Sequence, residues 1–450
     1  MQWIRELTAW MRGEDDPNRQ HWHMLPRAKT PEGRLRWRMF WVAFLVRLAY
    51  MTLAHQYRMR LVEDHFQFGW EAGRIARALA TGYGYADPFA NIFVAHTGPT
   101  AWLPPLYPLL IAAVFKVFGV YSLASSWVLL AINCVFSAAT AVATWEIGVR
   151  CCGPSVGLWA GWIWALYPAF MQYAVHWIWE MTITTALFAW VIVLALRMRE
   201  QSTVAPTRRW ALFGLAWGAI ALSNATLLAF LPFCGLWILQ KQPRDFPRAV
   251  LAAVIFLACV TPWTIRNAQV FHTFIPLRGN LGVELMLGNG PGSNGLLMEY
   301  NHPFQDAIQL RQYAAMGEFR YVAMRGAMAK DYMRAHPAHF VADILKRVFF
   351  FWAGVPHPAD HAWIVEYGRV FSFSLISLCG LLGLALAMTR KIHGAGLFFW
   401  AFLLLPITYY AVTVHARFRH PLEPLICVLG AYLFQSADRT RTWSWQQKKP

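Results

Sequence analysis

Pro105-Leu106-Tyr107-Pro108-Leu109-Leu110-Ile111-Ala112-Ala113-Val114-Phe115-Lys116-Val117-Phe118 is the stretch on which the reading of the fold turns. It is apolar throughout, yet it has only about fourteen residues, and a bilayer crossing needs roughly twenty. The next run, Ser122 to Ile147, is long enough to cross and ends at Arg150. If the shorter stretch also crossed, Arg150 and every later loop would invert. The basic clusters Arg197/Arg199/Arg208/Arg209, Lys241/Arg244/Arg248 and Arg390/Lys391 would then face outward, against the preference of basic loops for the cytoplasm. Pro105 to Phe118 is therefore expected to be a juxtamembrane helix on the outer surface.

Working outward, hydropathy predicts spans at Trp37 to about Tyr57, Ser122 to Ile147, Val156 to Tyr173, Met181 to Met198, Trp210 to Ser223, Thr226 to Leu239, Ala249 to Ile265, Val370 to Met388, Leu397 to Val414 and Leu422 to Phe434. The fold class is all-α: a polytopic membrane protein with about ten transmembrane helices and two large outward-facing loops. The division expected is a basic cytoplasmic segment 1–36, a membrane domain 37–438 and a basic cytoplasmic tail 439–450. Within the membrane domain, outer loop one covers 58–121 and outer loop two 266–369. The second loop holds a helical-looking segment from Arg311 to His336 and a short interfacial run, Ile344 to Gly354. Trp3, Ile4, Leu7, Trp10 and Met11 recur at helical spacing, so the N-terminal part either lies on the inner leaflet or is a disordered tail.

Composition agrees with a membrane chain. Of 450 residues 57% are hydrophobic and 14% charged, where soluble domains carry about 25% charged residues. The formal charge of +17 fits basic loops held against anionic lipid, and no nucleic-acid recognition motif appears. The seven cysteines all fall in apolar runs or one short loop, so no disulfide framework is implied. About 36 mostly polar residues precede the first apolar run, so no cleavable signal is expected.

Outer loop one opens with Glu63 and Asp64 and continues into Glu71-Ala72-Gly73-Arg74. Asp64 and Glu71 are seven residues apart, so one helix would place both on the same side. One of them can serve as a general base. The competing reading is an exposed helix in which Glu71 pairs with Arg74 and Asp64 is the cap. Glu180 stands at the outer start of the Met181 span, where a carboxylate is costly unless it works or is paired. Arg417, Arg419 and His420 crowd a short outer turn, His415 to Pro421, either to meet an anion or to snorkel to headgroups. His357-Pro358-Ala359-Asp360-His361 has metal-ligand residue types, but the proline disfavours a regular helix and no fourth ligand is evident. The loop Gly288 to Gly295 suits an anion cradle, a loop tip or a lid. Neither a P-loop nor a dinucleotide fingerprint is present.

The ordered set is more telling than its members. An acid follows the first span. A helix then ends in Ala78-Leu79-Ala80-Thr81-Gly82-Tyr83-Gly84. Pro104-Pro105-Leu106-Tyr107-Pro108 and Phe118-Gly119 come next, and Thr261-Pro262-Trp263-Thr264-Ile265-Arg266-Asn267 opens the second loop. This pattern resembles the C-type (GT-C) membrane glycosyltransferase superfamily, closest to glycosyltransferase family 39, with its protein O-mannosyltransferases and lipid A aminoarabinose transferases. The resemblance covers most of the membrane part. It implies a polyprenyl-phosphate sugar donor, an outward-facing active site and an acid of the first outer loop acting as base. That acid usually sits nearer Gly82 than Asp64 does. Asp64 is one turn early and Glu71 one turn late, with Gln67 or Phe68 between, so the base is either Asp64 or Glu71. Glu180 stands where the family often has a second acid, as Asp. Arg417, Arg419 and His420 would stabilise the departing phosphate, and Arg278, Lys346 and Arg347 join them as weaker candidates.

The expected function is transfer of a sugar from a polyprenyl-phosphate carrier to a hydroxyl acceptor on the outer side of the inner (plasma) membrane. The acceptor is not named by the sequence. No cofactor or metal is implied by the residues, although relatives with pyrophosphate-linked donors use a divalent metal. Two other classes compete. A secondary transporter or flippase would show paired internal repeats and broken helices at mid-membrane; the sequence shows neither, and the large outer loops fit an enzyme. A non-catalytic assembly subunit would keep the fold without the base.

Overall fold

The computed structural model describes residues 2–14, 31–59, 68–201, 204–296, 301–356 and 363–446. Asp64 and the His357 to His361 group lie outside them. Among the described residues the chain is helical, with no strand and a single isolated bridge, Ala86 to Pro99. The helices of the first half are α1 (Gln2–Met11), α2 (Pro31–Leu53), α3 (Glu71–Ala80), α4 (Leu106–Phe118), α5 (Leu123–Cys152), α6 (Pro154–Leu166), α7 (Pro168–Val175), α8 (Met181–Arg199) and α9 (Thr207–Ser223). The second half adds α10 (Leu231–Leu239), α11 (Phe246–Phe271), α12 (Leu281–Asn289), α13 (Ala307–Met316), α14 (Glu318–Ala335), α15 (Pro337–Ala353), α16 (Trp363–Thr389), α17 (Ala395–Leu404), α18 (Ile407–Ala411) and α19 (Glu423–Gln446).

Among the described residues four segments are long and apolar enough to cross a membrane: Leu123–Cys152, Met181–Arg199, Pro243–Phe271 and Trp363–Thr389. The expectation of about ten is corrected to that number, and the reasons are local. The predicted span Val156 to Tyr173 breaks at Tyr167, where Pro168 cannot donate to the preceding turn. Thr226 to Leu239 begins as a 3₁₀ turn, Ala225–Phe230, before α10. Leu397 to Val414 splits at Pro406 into α17 and the five-residue α18. Helix α2 carries Arg34, Arg36, Arg38 and Arg47. Hydropathy averages over such breaks and cannot see them.

The broken ends need partners for their carbonyls, and buried arginines supply them. Arg47, fully buried, donates to Trp164 O (2.8 Å), Ala165 O (2.7 Å) and Ser137 Oγ (2.9 Å), closing the C-terminus of α6. The lateral surface of the bundle is apolar as well: Val250, Leu251, Val254 and Leu257 of α11 are exposed, as suits a helix whose outer face meets lipid.

Helix α4 has 13 residues and packs on α3 and α5. The segment expected as one helix from Arg311 to His336 is two, α13 and α14, parted at Gly317 with φ +75°. Ile344 to Gly354 is the end of the longer α15. Helix α1 lies on protein: Trp10 meets Trp162 at 5.9 Å, and Trp162 Nε1 donates to Met11 O (3.1 Å).

The two long polar stretches share one end of the molecule. Phe89 and Trp102 of the first pack with Val283, Leu287, Tyr313 and Tyr321 of the second. Buried Glu318 of α14 accepts from Thr100 Oγ1, from Ala101 N (2.7 Å) and from Tyr313 Oη (2.7 Å). Arg266 donates to Thr100 O (2.6 Å) and Tyr85 O (2.8 Å). The C-terminal turns of α5 and α8, with Arg150 and Arg197 around buried Glu146, form the opposite, basic end.

Candidate active site

Between the two stretches and the ends of α8, α12 and α18 lies a cavity of ≈ 430 Å³. Glu71, Glu180, Arg278, Glu284, His302 and Arg417 bring the ionisable side chains to it. Glu71 begins α3, so its carboxylate sits at a helix N-terminus where negative charge is favoured. The turn before it is tight. Gly69 has φ +91°, and a Cβ there would collide with Ile178 O, so this approach of loop one to the chain before α8 requires glycine.

Glu71 Oε1 stands 3.7 Å from His302 Nε2. His302 Nδ1 accepts the backbone N–H of Phe304 (3.2 Å), which places the ring proton of the neutral form on Nε2, toward Glu71. The ring is set edge-to-face against Phe89 (5.2 Å) and Trp102 (5.5 Å). Burial, with Arg278, Arg325 and Arg74 assisting against Glu284, lowers its pKa to about 4. At neutral pH His302 is thus an uncharged N–H donor beside a carboxylate. Arg74 donates to Ala90 O (3.2 Å) and lies over the Phe304 ring (4.7 Å).

Arg417 is held differently. Its guanidinium lies 4.4 Å from the Trp179 ring centroid, and Trp177 stacks on Trp179 at 4.6 Å and 7°. Its backbone N–H is accepted by His415 Nδ1 (3.2 Å). Among the described residues no carboxylate lies within ion-pair distance of Arg417, and the carboxylate of Glu180 has no hydrogen-bond partner. Arg278 is engaged: it donates to Glu284 Oε1 (3.2 Å) and Trp102 O (3.1 Å), while Asn280 Nδ2 reaches the same Glu284 oxygen (2.7 Å). Tyr409 stacks on Phe418 at 4.2 Å and shares a hydrogen bond with Thr226 Oγ1 (2.7 Å).

Of the residues singled out by sequence, Glu71, Glu180, Arg278 and Arg417 meet at this cavity. Arg347, Arg419 and His420 are buried and do not line it. Arg419 donates to Phe373 O (3.0 Å), Ser377 Oγ and Glu423 Oε1 (3.3 Å), and His420 Nδ1 pairs with the other oxygen of Glu423. Arg347 holds the carbonyls of Gly288, Gly295 (2.7 Å), Tyr410 (3.2 Å) and Ala411 (3.2 Å). Lys346 donates to Asn294 O. The Gly288 to Gly295 loop therefore turns carbonyls toward cations rather than cradling an anion. His302, Trp179 and Glu284 escaped the sequence reading. The nearest signal for His302 was a histidine before Pro303 in a polar loop, which has no spacing to recommend it.

No protein-family model matches the chain, and no curated protein does. Solved structures do. The chain is similar to the oligosaccharyltransferase of Archaeoglobus fulgidus solved with Zn and sulfate, at 13% identity and a TM-score of 0.48, covering 90% of this chain and 50% of that one. It is similar to AglB of the same organism in complex with an inhibitory peptide and a dolichol-phosphate, at 13% identity and a TM-score of 0.46, covering 92% and 51%. It is also similar to ArnT from Cupriavidus metallidurans bound to undecaprenyl phosphate, at 14% identity and a TM-score of 0.37, covering 94% and 82%. These neighbours are GT-C glycosyltransferases. The chain spans about half the length of the oligosaccharyltransferase chains, and likenesses at this level assign no residue its role.

Proposed function

We propose that the chain is an integral-membrane glycosyltransferase. It takes a sugar from a polyprenyl-phosphate carrier and passes it to a hydroxyl on an acceptor at the outer side of the bilayer. The observation that supports this reading is the single cavity holding the carboxylates Glu71 and Glu180 and an arginine, Arg417, with no carboxylate of its own among the described residues.

In the reaction, Glu71 takes the proton of the acceptor hydroxyl as its oxygen bonds to the anomeric carbon. His302 keeps that carboxylate oriented without adding charge. The bond between the anomeric carbon and the phosphate oxygen breaks, and the electron pair leaves on the polyprenyl phosphate. Arg417 meets the departing anion by charge-assisted hydrogen bonds. Attack opposite the phosphate inverts the anomeric centre. Asp64 remains the alternative base. Glu180 orients the sugar. Arg347, Arg419 and His420 support the wall that carries Arg417, and Arg278 stays with Glu284. Residues 37–438 form the membrane-embedded unit, and the basic ends 1–36 and 439–450 face the cytoplasm.

The test is release of polyprenyl phosphate by purified full-length protein in lipid nanodiscs, offered a panel of synthetic polyprenyl-phosphate sugars and a mixed hydroxyl acceptor pool. Release that depends on Glu71 or Asp64 supports the reading. Failure to release carrier from any of the donors, or release at the wild-type rate by both the Glu71→Gln and the Asp64→Asn variants, would sink it.

A further inference from the structure

One polar group on the cavity wall has no part in the chemistry above. Thr413 lines the cavity, is 3% exposed, and has a buried hydroxyl with no hydrogen-bond partner among the described residues. Buried hydroxyls are ordinarily satisfied. Disorder does not explain this one, because the backbone leading to it is pinned. Arg347 holds the carbonyls of Tyr410 and Ala411, and Asn289 Nδ2 donates to Ala411 O (3.1 Å). Gly288 packs so closely on Val412 O that a Cβ would have no room.

On the same cavity wall, at the turn just after Thr413, Arg417 presents a guanidinium that no carboxylate neutralises among the described residues. Trp179, itself backed by Trp177, holds that guanidinium by its face, which leaves the N–H edges for hydrogen bonding. A hydroxyl donor and a guanidinium edge together suit a tetrahedral oxyanion, which has acceptor lone pairs for both. A neutral hydroxyl-bearing ligand would satisfy Thr413 and leave Arg417 uncompensated.

We propose that Thr413 is a second ligand of the donor's phosphate, its hydroxyl donating to a non-bridging oxygen that Arg417 also contacts. The assignment rests on the transferase reading only in taking the phosphate to be the sugar carrier's. Because the hydroxyl has no partner to give up, a turn about χ1 toward an arriving phosphate breaks no hydrogen bond.

The experiment titrates the full chain in phosphatidylcholine nanodiscs with decaprenyl phosphate, and separately with decaprenol and phosphatidic acid. Thr413→Val keeps the shape and removes the donor, and Thr413→Ser keeps the donor. Thr413→Val should bind decaprenyl phosphate about 10- to 100-fold more weakly, the loss of one hydrogen bond to a charged group. Thr413→Ser should restore binding, and decaprenol should bind every form alike. The melting temperature of Thr413→Val should equal or exceed the wild type, since a buried unpaired hydroxyl is replaced by a methyl. That separates ligand binding from a structural role. Unchanged decaprenyl phosphate affinity in Thr413→Val, or no binding by the wild type, overturns the proposal. Equal, Thr413-dependent binding of phosphatidic acid overturns the donor assignment in favour of a headgroup site. Thr413-dependent binding by a protein that transfers no sugar would leave this site standing and remove the transferase reading. Transfer with unaltered donor kinetics in Thr413→Val would do the reverse.

Discussion

Glu71 is the acid whose surroundings suit a base, with a helix N-terminus beneath it and the Nε2 of a neutral histidine 3.7 Å away. Glu71→Gln changes one oxygen to nitrogen and removes the charge. It should lower turnover by about 10²- to 10⁴-fold, the usual worth of a general base, while the melting temperature and donor affinity hold. If Asp64→Asn shows that fall and Glu71→Gln does not, the base is Asp64. Arg417→Gln is expected to raise the donor KM and lower kcat together, because the contact exists in the ground state and strengthens as charge develops on the departing phosphate. The combined loss is on the order of 2–5 kcal/mol if the bound phosphate is desolvated. Steady-state kinetics over a range of donor concentrations checks this, and a variant with wild-type KM and kcat would leave Arg417 without a role in binding.

Elements are held in place by residues that resemble site residues on paper. Arg347 ties α15 to the loop after α12 and to α18 through main-chain carbonyls. Arg347→Met fills similar space and leaves those acceptors buried without a donor. It should destabilise the protein by about 3 kcal/mol, seen as a lower melting temperature in detergent, with a weaker hold on the Thr413 to Arg417 segment. Glu318 is the clamp between the two polar stretches. Burial raises its pKa above the ordinary carboxylate value, against the hydrogen bonds from Thr100, Tyr313 and Ala101 and the nearby Arg266. A carboxyl with a raised folded pKa binds its proton more tightly when folded. Its stabilising contribution is therefore complete below the unfolded carboxylate pKa and is lost as pH rises through the raised value. Denaturation midpoints measured from pH 4 upward should fall through that window in the wild type, and Glu318→Gln should flatten the curve. An unaltered slope in the variant would remove Glu318 as the cause.

At the scale of the molecule, the packing of Phe89 and Trp102 against Tyr313 and Tyr321 requires both polar stretches to emerge on one side of the membrane. Cysteines introduced at Ile92, 85% exposed, and at Arg311 on α13 should react with an impermeant maleimide from the same side of sealed cells or vesicles. A cysteine at Arg208, in the basic end, should be shielded under those conditions. Labelling of the first two from opposite sides would break this topology.

What the amino-acid order determined alone follows from local terms. Apolar run length marked α5, α8, α11 and α16, and the shortness of Pro105 to Phe118 showed in its count, because crossing length depends only on residues in sequence. The order of glycine and proline motifs carried the family resemblance for the same reason. Breaks inside apolar runs were less legible: the prolines at 168 and 406 are visible, but the carbonyl caps that make a break tolerable come from distant arginines. Arg47 reaches α6 across 117 residues, and Arg347 reaches Ala411 across 64. The site divides on the same line. Glu71 and Arg417 stand out because charges are rare in such a chain. Whether an arginine faces a cavity, as Arg417 does, seals a helix end, as Arg347 does, or pairs inside the bundle with Glu423 and Ser377, as Arg419 does, depends on which polar groups packing leaves unpaired. Only the tertiary structure decides that, and it also brings His302 to Glu71.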